Sequence, residues 1–313
     1  MRVSQEKISL RNEHTIIWNL KRDWQLYLLL VLPVIYFIIF KYIPMSGIII
    51  AFKNYNIFDG IWKSEWVGLD VFRRMFAMKD FGRALRNTLM LNLMDLIFSF
   101  PSPIILAIFL NELHNVAYKK ISQTLLYLPH FMSWVIIGGI VNQLFATNTG
   151  MVNNIIVSLG GEPIPFLTNK WYWLVTYLFA GIWQSAGWNT ILYMAAITGI
   201  DPNLYEAASV DGAGRLRKIF SITLPSIKST IVVLLIMKVG QMMTIAFERP
   251  YVLGNALVTE FSDVISTFVY RIGIQGNQLS LGTAVGFFQS VIGLTLIVIA
   301  NGVAKKSGEN GIW

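Results

Sequence analysis

Two charged residues inside long apolar runs are the first side chains of this sequence that could do chemistry. Asp95 and Lys238 each lie within such a run. An ionised group in hydrocarbon is costly unless it faces a partner or a water-filled cavity. At 1.5 Å per residue, each lies roughly 12–15 Å from the outer end of its predicted helix. We therefore predict a buried ion pair between them. Separate contacts with a second protein chain are the alternative.

Amides and aromatic rings in another apolar run, residues 171–200, indicate a second kind of site. Gln184 and Trp188 are four residues apart and share a helix face, as do Asn189 and Tyr193. A pyranose offers C–H surface beside hydroxyls, and this mixture of rings and amides suits it. The predicted substrate path comprises Gln143, Trp183, Gln184, Trp188, Asn189, Tyr193, Gln241, Glu248 and Gln289. Amides bonded between helices and tryptophans at the membrane interface are the alternative.

The sequence has few residues or motifs that indicate a catalytic or a metal site. The three histidines are isolated, and neither His-Glu-x-x-His nor Gly-x-Ser-x-Gly occurs. This argues against a zinc site and a membrane hydrolase. The chain has no cysteine, which excludes a disulfide scaffold and thiolate catalysis.

The composition places these residues in a membrane protein. The 313 residues are 55% hydrophobic and 13% charged, with a mean hydropathy of +0.56. Soluble domains carry about 25% charged residues. The formal charge of +8 therefore fits basic cytoplasmic flanks of membrane spans better than nucleic-acid binding.

Six apolar runs are long enough to cross a bilayer, so the predicted fold is an all-α membrane protein with six transmembrane helices. The predicted spans are residues 24–43, 87–110, 122–146, 171–200, 226–247 and 282–303. They form one domain, residues 24–304, between an N-terminal tail (1–23) and a C-terminal tail (305–313). Six spans put both termini on one side, and the basic N-terminal tail favours the cytoplasm. Residues 69–85 have the amphipathic pattern of a helix at the outer interface.

A polar segment, residues 201–225, separates the fourth and fifth spans. Irregular backbone cannot face lipid, so this segment must meet water or another protein. Asp201 suits a helix N-cap and Pro202 a first turn. Gly212 or Gly214 suits a left-handed helix terminus. We predict a short helix that serves as a docking surface.

The same segment resembles a known signature. Glu206-Ala207-Ala208 is followed by Gly212, Ile222, Leu224 and Pro225, the pattern EAA-x3-G-x9-I-x-LP. Asp211 and Ala213 extend the match. This pattern resembles the loop of permease subunits in binding-protein-dependent ABC importers. Stretches such as YLPHFMSWVI and DVISTFVYRIGI are similar to the polysaccharide- or lipoprotein-type permeases of the carbohydrate-uptake subfamily.

The resemblance implies a type I ABC importer permease fold with a coupling helix between helices four and five. The residues that it assigns to coupling are Tyr205, Glu206, Ala207, Ala208, Asp211, Gly212, Ala213 and Pro225. It also implies a second, non-identical permease, two ABC ATPase subunits, an extracytoplasmic solute-binding protein and an oligosaccharide substrate, in a bacterial cell membrane. The chain has no Gly-x4-Gly-Lys-Ser/Thr phosphate loop. ATP and Mg²⁺ are therefore expected in the partner ATPases rather than here.

Three other functions remain open at this point. The same kind of importer could carry a different solute. A secondary transporter working alone would have inverted repeats and no docking loop. An intramembrane enzyme would need a nucleophile or a metal set.

Overall fold

The computed structural model describes residues 18, 21–309 and 311–312. Most of the predicted tail 1–23 therefore lies outside the described residues. The described chain is mostly helical, as predicted, and its described residues divide into two compact units, one up to residue 71 and one from residue 72. The predicted domain boundaries after residues 23 and 304 stay predictions.

The first unit contains one long apolar helix, Trp24–Phe52. Its parts are α1 (Trp24–Phe37), a π-helical segment (Ile38–Tyr42), α2 (Ile43–Met45) and a 3-10 segment (Ser46–Phe52). Then follow β1 (Lys53–Asn54), α3 (Gly60–Lys63) and β2 (Glu65–Trp66). The two strands pair antiparallel, with Lys53 opposite Trp66. The Lys53 ammonium donates to the carbonyl oxygens of Ile61 at 2.8 Å and Ser64 at 3.2 Å, which closes the loop between the strands.

The second unit carries the remaining helices, and the boundary between the units falls inside the first of them. Its first half comprises α4 (Asp70–Ala77), α5 (Lys79–Met94), a π-helical segment (Asp95–Ser99), α6 (Pro101–Asn111), α7 (Val116–Tyr127), a 3-10 turn (Leu128–Phe131), α8 (Trp134–Phe145), α9 (Met151–Ser158) and α10 (Lys170–Thr198). Its second half comprises α11 (Pro202–Val210), α12 (Arg215–Lys218), a π-helical segment (Ile219–Thr223), α13 (Leu224–Ser226), α14 (Lys228–Gly240), α15 (Glu248–Leu253), a 3-10 turn (Ala256–Val258), α16 (Thr259–Ser262), α17 (Ile265–Phe268), a π-helical segment (Val269–Gln275) and α18 (Leu279–Lys306).

The six predicted spans correspond to helices of three kinds. Three are long apolar helices: Trp24–Phe52, Lys79–Asn111 and Leu279–Lys306. Two are bent pairs, Val116–Phe131 with Trp134–Phe145 at 104° and Arg215–Ser226 with Lys228–Gly240 at 60°. The last is α10, whose 29 residues give about 43 Å at 1.5 Å per residue. It is long enough to cross a membrane, but its amides and hydroxyls keep it out of the helices that qualify as spans by both length and hydropathy.

The predicted position of the outer end of span five is wrong. The helix α14 stops at Gly240, and residues 241–247 are not helical. Side-chain amides bind the carbonyl oxygens that this break frees. The Asn92 amide donates to the carbonyl oxygen of Met242 at 2.9 Å, and Gln289 donates to that of Met243. Non-helical backbone is tolerated at membrane depth only where such partners exist.

The helix α10 runs through two separate apolar cores. Near its start, Trp173 and Tyr177 pack with Leu91, Ile137 and Val264 in the first core. The indole Nε1–H of Trp173 donates to the Leu253 carbonyl oxygen at 2.7 Å within it. Toward its end, Tyr193, Met194 and Ile197 pack with Ala107, Leu110 and Ile227 in the second. Gln184, Ser185 and Asn189 lie in the stretch of α10 between the two cores.

Candidate translocation cavity and docking helix

A cavity of about 460 Å³ lies beside the middle of α10. Its wall is formed by the π-helical segment after α5, the start of α6, the middle of α10, the end of α14 and the non-helical residues that follow. Six residues that the sequence predicted for the substrate path or the ion pair line it: Asp95, Gln184, Asn189, Tyr193, Lys238 and Gln241. The tertiary structure thus brings these six together from four segments of the chain.

The predicted ion pair had the wrong cation. Asp95 pairs with Arg249, whose Nη1 lies 2.9 Å from the Asp95 Oδ2, and the two side chains are only 11% and 12% exposed. Lys238 lines the same cavity. The reason is the break after α14. The sequence-based distance assumed a continuous helix to residue 247, whereas the chain unwinds at Gly240 and brings Arg249 back to Asp95.

Further contacts fix the Arg249 guanidinium on α10. Nη2 donates to the Tyr177 carbonyl oxygen at 2.8 Å, and the guanidinium carbon lies 3.7 Å from the centre of the Tyr177 ring. Gly181, one turn along, leaves the space that the guanidinium occupies, because a Cβ there would overlap it. On the other side Ser99 donates to the Asp95 Oδ1 at 2.9 Å. The pair therefore ties α15 to α10 and to the π-helical segment of span two.

Among the cavity-lining polar side chains that make no hydrogen bond or ion pair within the part of the chain that the structure describes, three carry an amide or a charge. They are Asn189, Lys238 and Gln241. Asn189 and Gln241 are exposed, and Lys238 is half-buried. Two amides and one ammonium are therefore available to a polar molecule in the cavity.

Five other predicted path residues lie outside the cavity lining: Gln143, Trp183, Trp188, Glu248 and Gln289. Trp183 and Trp188 are each 40% exposed. The Trp188 ring stacks on His130, with centroids 4.6 Å apart. Gln289 binds the backbone freed by the break after α14. Gln143 and Glu248 are exposed.

Asn92, Trp134 and Arg249 are among the lining residues that sequence reasoning missed. Asn92 lies within a predicted span, so its polarity was a usable signal. Arg249 lies two residues beyond the end of the predicted fifth span, so its position in the sequence does not point to the cavity. Only the path of the backbone through residues 241–247 reveals that Arg249 faces the cavity.

The predicted short helix between the fourth and fifth spans is confirmed as α11; its docking role stays a prediction. The Asp201 carboxylate caps it by accepting from the Asn203 N–H at 2.9 Å, and Pro202 occupies its first turn. After its last residue, Gly212 has a φ of +74°. Ala213 N–H donates to the Ala208 carbonyl oxygen at 2.8 Å, which is the long-range bond of a Schellman motif. The local sequence signals alone determine both ends of this helix.

Hydrogen bonds rather than burial hold α11 in place, since none of its residues is buried. The hydroxyls of Tyr205 and Thr223 lie 2.9 Å apart, and the Lys218 ammonium donates to the Ser209 hydroxyl. Val210 is 89% exposed, and Leu204 is also exposed. An exposed helix with apolar side chains is available for contact with another protein.

These features define a class of protein. Membrane-spanning helices surround a polar cavity, and an exposed helix stands between the fourth and fifth of them, as in the permease component of a transport system. Residues 75–307 match the family described as the binding-protein-dependent transport system inner membrane component. The chain belongs to this family. That membership sets aside the stand-alone secondary transporter and the intramembrane enzyme.

Relatives with known names extend across nearly the whole chain. Protein LplB of Bacillus subtilis (strain 168) is 48% identical over 94% of this chain and 92% of its own length. The polygalacturonan/rhamnogalacturonan transport system permease protein YteP of the same organism is 50% identical over 92% of this chain and 90% of its own length. A chain from the crystal structure of a bacterial ABC transporter that imports the acidic polysaccharide alginate superposes with a TM-score of 0.85. It is 41% identical, and the match covers 93% of this chain and 98% of that one.

Proposed function

We propose that this chain is a permease subunit of an ATP-driven ABC importer that takes up an oligosaccharide. The observation that carries the proposal is the cavity, in which side-chain amides and an ammonium face open space beside aromatic rings. Sugar hydroxyls both donate and accept hydrogen bonds, so amides are suitable partners. The printed names of YteP and of the alginate importer, both polysaccharide transporters, support the same class of substrate.

The partners follow from the same proposal. An extracytoplasmic binding protein delivers the sugar, as in the alginate importer that was crystallised with a pentasaccharide-bound periplasmic protein. A second, homologous but non-identical permease completes the pore. Two ABC ATPase subunits, rather than this chain, hydrolyse ATP with Mg²⁺. It lies in the bacterial cell membrane with both termini in the cytoplasm.

In this mechanism α11 is the coupling helix. Its exposed side chains seat in a groove of the ATPase, with Ala207 and Ala208 allowing close approach and Glu206 available for a charge pair. The hydroxyl contact between Tyr205 and Thr223 connects α11 to the segment that leads into α14. Movement of the ATPases is thereby passed to a helix that lines the cavity, as a rigid-body change between two states.

Glu206→Lys tests the proposal. In the complete importer, we expect it to abolish ATP-dependent oligosaccharide uptake while the amount of permease in the membrane stays normal. The matched control is Glu162→Lys, the same change at an exposed glutamate between α9 and α10, which should leave uptake normal. Normal uptake by Glu206→Lys, or equal loss in both variants, would contradict the coupling role.

A further inference from the structure

We infer that the cavity selects acidic oligosaccharides and that Lys238 is the residue that binds the substrate carboxylate. The inference rests on the proposed function and names the substrate class of the same site. It starts from the charges of the cavity wall. Two cations, Lys238 and Arg249, and one anion, Asp95, line it.

One of the two cations is already neutralised. Arg249 is bound by Asp95 at 2.9 Å, lies on the Tyr177 ring and donates to the Tyr177 carbonyl oxygen. Moving it toward a substrate would break all of these contacts at a site where both charged side chains are nearly buried. The Asp95–Arg249 pair therefore contributes no net charge and little freedom to the cavity.

Lys238 is the remaining charge. Its ammonium makes no hydrogen bond or ion pair with any described residue, and it lies in the last turn of α14. An ammonium on a four-carbon stem can move to meet a carboxylate and offers three donors. A half-buried cation with no counter-charge favours an anionic occupant, because the Coulomb attraction is weakly screened there.

Neutral hydrogen-bonding groups accompany this charge. Gln241 lies three residues after Lys238, and Asn189 is contributed by α10. Both amides are exposed and have no bond to a described residue. An ammonium beside two amides matches a sugar acid, in which a carboxylate adjoins hydroxyls. The alginate importer, which superposes on nearly the whole chain, carries an acidic polysaccharide.

The first experiment measures the charge of the cavity without any sugar. The chain has no cysteine, so Asn189→Cys places a single thiol in the cavity of the complete importer. The probes are an anionic and a cationic methanethiosulfonate reagent. After correction for their reactivity with a free thiol, we expect the anionic reagent to react faster. Adding Lys238→Gln should lower the anionic-to-cationic rate ratio at least about threefold. A ratio that Lys238→Gln leaves unchanged would overturn the inference.

The second experiment measures selectivity in intact cells that carry the complete importer. The probes are short oligosaccharides from polygalacturonan and from alginate, each compared with its carboxyl-reduced, neutral form. We expect preferential uptake of an acidic form and a loss of about tenfold or more with Lys238→Gln, with Lys238→Arg retaining most of the uptake. Uptake of a neutral form should fall less than uptake of the acidic form.

Each other outcome has a distinct meaning. Equal uptake of acidic and neutral forms, or an equal loss of both in Lys238→Gln, overturns the inference and leaves the proposed function standing. Absence of ATP-dependent uptake of every acidic and neutral form overturns the proposed function instead. The labelling ratio still decides the charge of the cavity in that case.

Discussion

Removing one partner of the Asp95–Arg249 pair is the perturbation with the largest effect that this structure predicts. At the 2.9 Å separation of the two charged atoms, their attraction is about 6 kcal/mol at an effective dielectric constant of 20. Part of this offsets the cost of removing both groups from water. Breaking a buried pair leaves one charge uncompensated, so we expect Asp95→Asn to lower the free energy of unfolding by about 3–5 kcal/mol.

Arg249→Met should lose slightly more. It also removes the donor to the Tyr177 carbonyl oxygen and the cation over the Tyr177 ring, which together add about 1–2 kcal/mol. The double variant leaves no charge unpaired. Its loss should therefore be smaller than the sum of the single losses by about 2–3 kcal/mol.

The assay is unfolding of the purified permease in mixed micelles by titration with sodium dodecyl sulfate, with the four proteins of the double-mutant cycle. Lys238→Met provides the matched control, because Lys238 lines the same cavity but is not within 4.0 Å of the Asp95 carboxylate. The unfolding free energies lost in Lys238→Met and in Asp95→Asn should add within about 0.5 kcal/mol in the double variant. Additive losses for Asp95 and Arg249, or strong coupling between Asp95 and Lys238, would refute the assigned pairing.

Two further predictions compare pairs of similar residues. Gly212→Ala places a side chain at a φ of +74° and should destabilise the end of α11 by about 1–2 kcal/mol. Faster amide hydrogen exchange at that end would show this loss. Gly214→Ala, at a φ of −69°, should not increase the exchange rate. Asn92→Leu leaves the Met242 carbonyl oxygen without its donor and should lower the free energy of unfolding by about 1–3 kcal/mol. Asn189→Leu, whose amide has no partner among the described residues, should unfold like the wild type and yet reduce uptake.

The docking helix shows how far local sequence signals reach. Its N-cap, its first-turn proline and its left-handed glycine each depend only on residues a few positions apart. The chain around residues 201–213 is therefore sufficient to predict them. The structure has each of them at the expected position. The apolar runs located the spans, because crossing a bilayer requires about 20 predominantly apolar residues, but they misplaced the outer end of the fifth span.

The ion pair shows where such signals end. Counting residues from the end of a predicted span assumed that α14 continues to residue 247, and this assumption selected Lys238. Whether a helix breaks at Gly240 depends on donors from other helices, Asn92 and Gln289, that satisfy the freed carbonyl oxygens. Those donors are distant in sequence, so the choice between Lys238 and Arg249 depends on tertiary packing.

By itself, then, the sequence determined the membrane class, the approximate positions of the helical spans, the short helix α11 and the family signature, because each is encoded by residues close together in the chain. Only the tertiary structure decided which polar residues meet. It placed Gln184, Asn189 and Gln241 in one cavity and left Trp183 and Trp188 outside it. It also paired Asp95 with Arg249. The physical reason is that charge pairing and side-chain exposure depend on distances between helices, which local spacing does not specify.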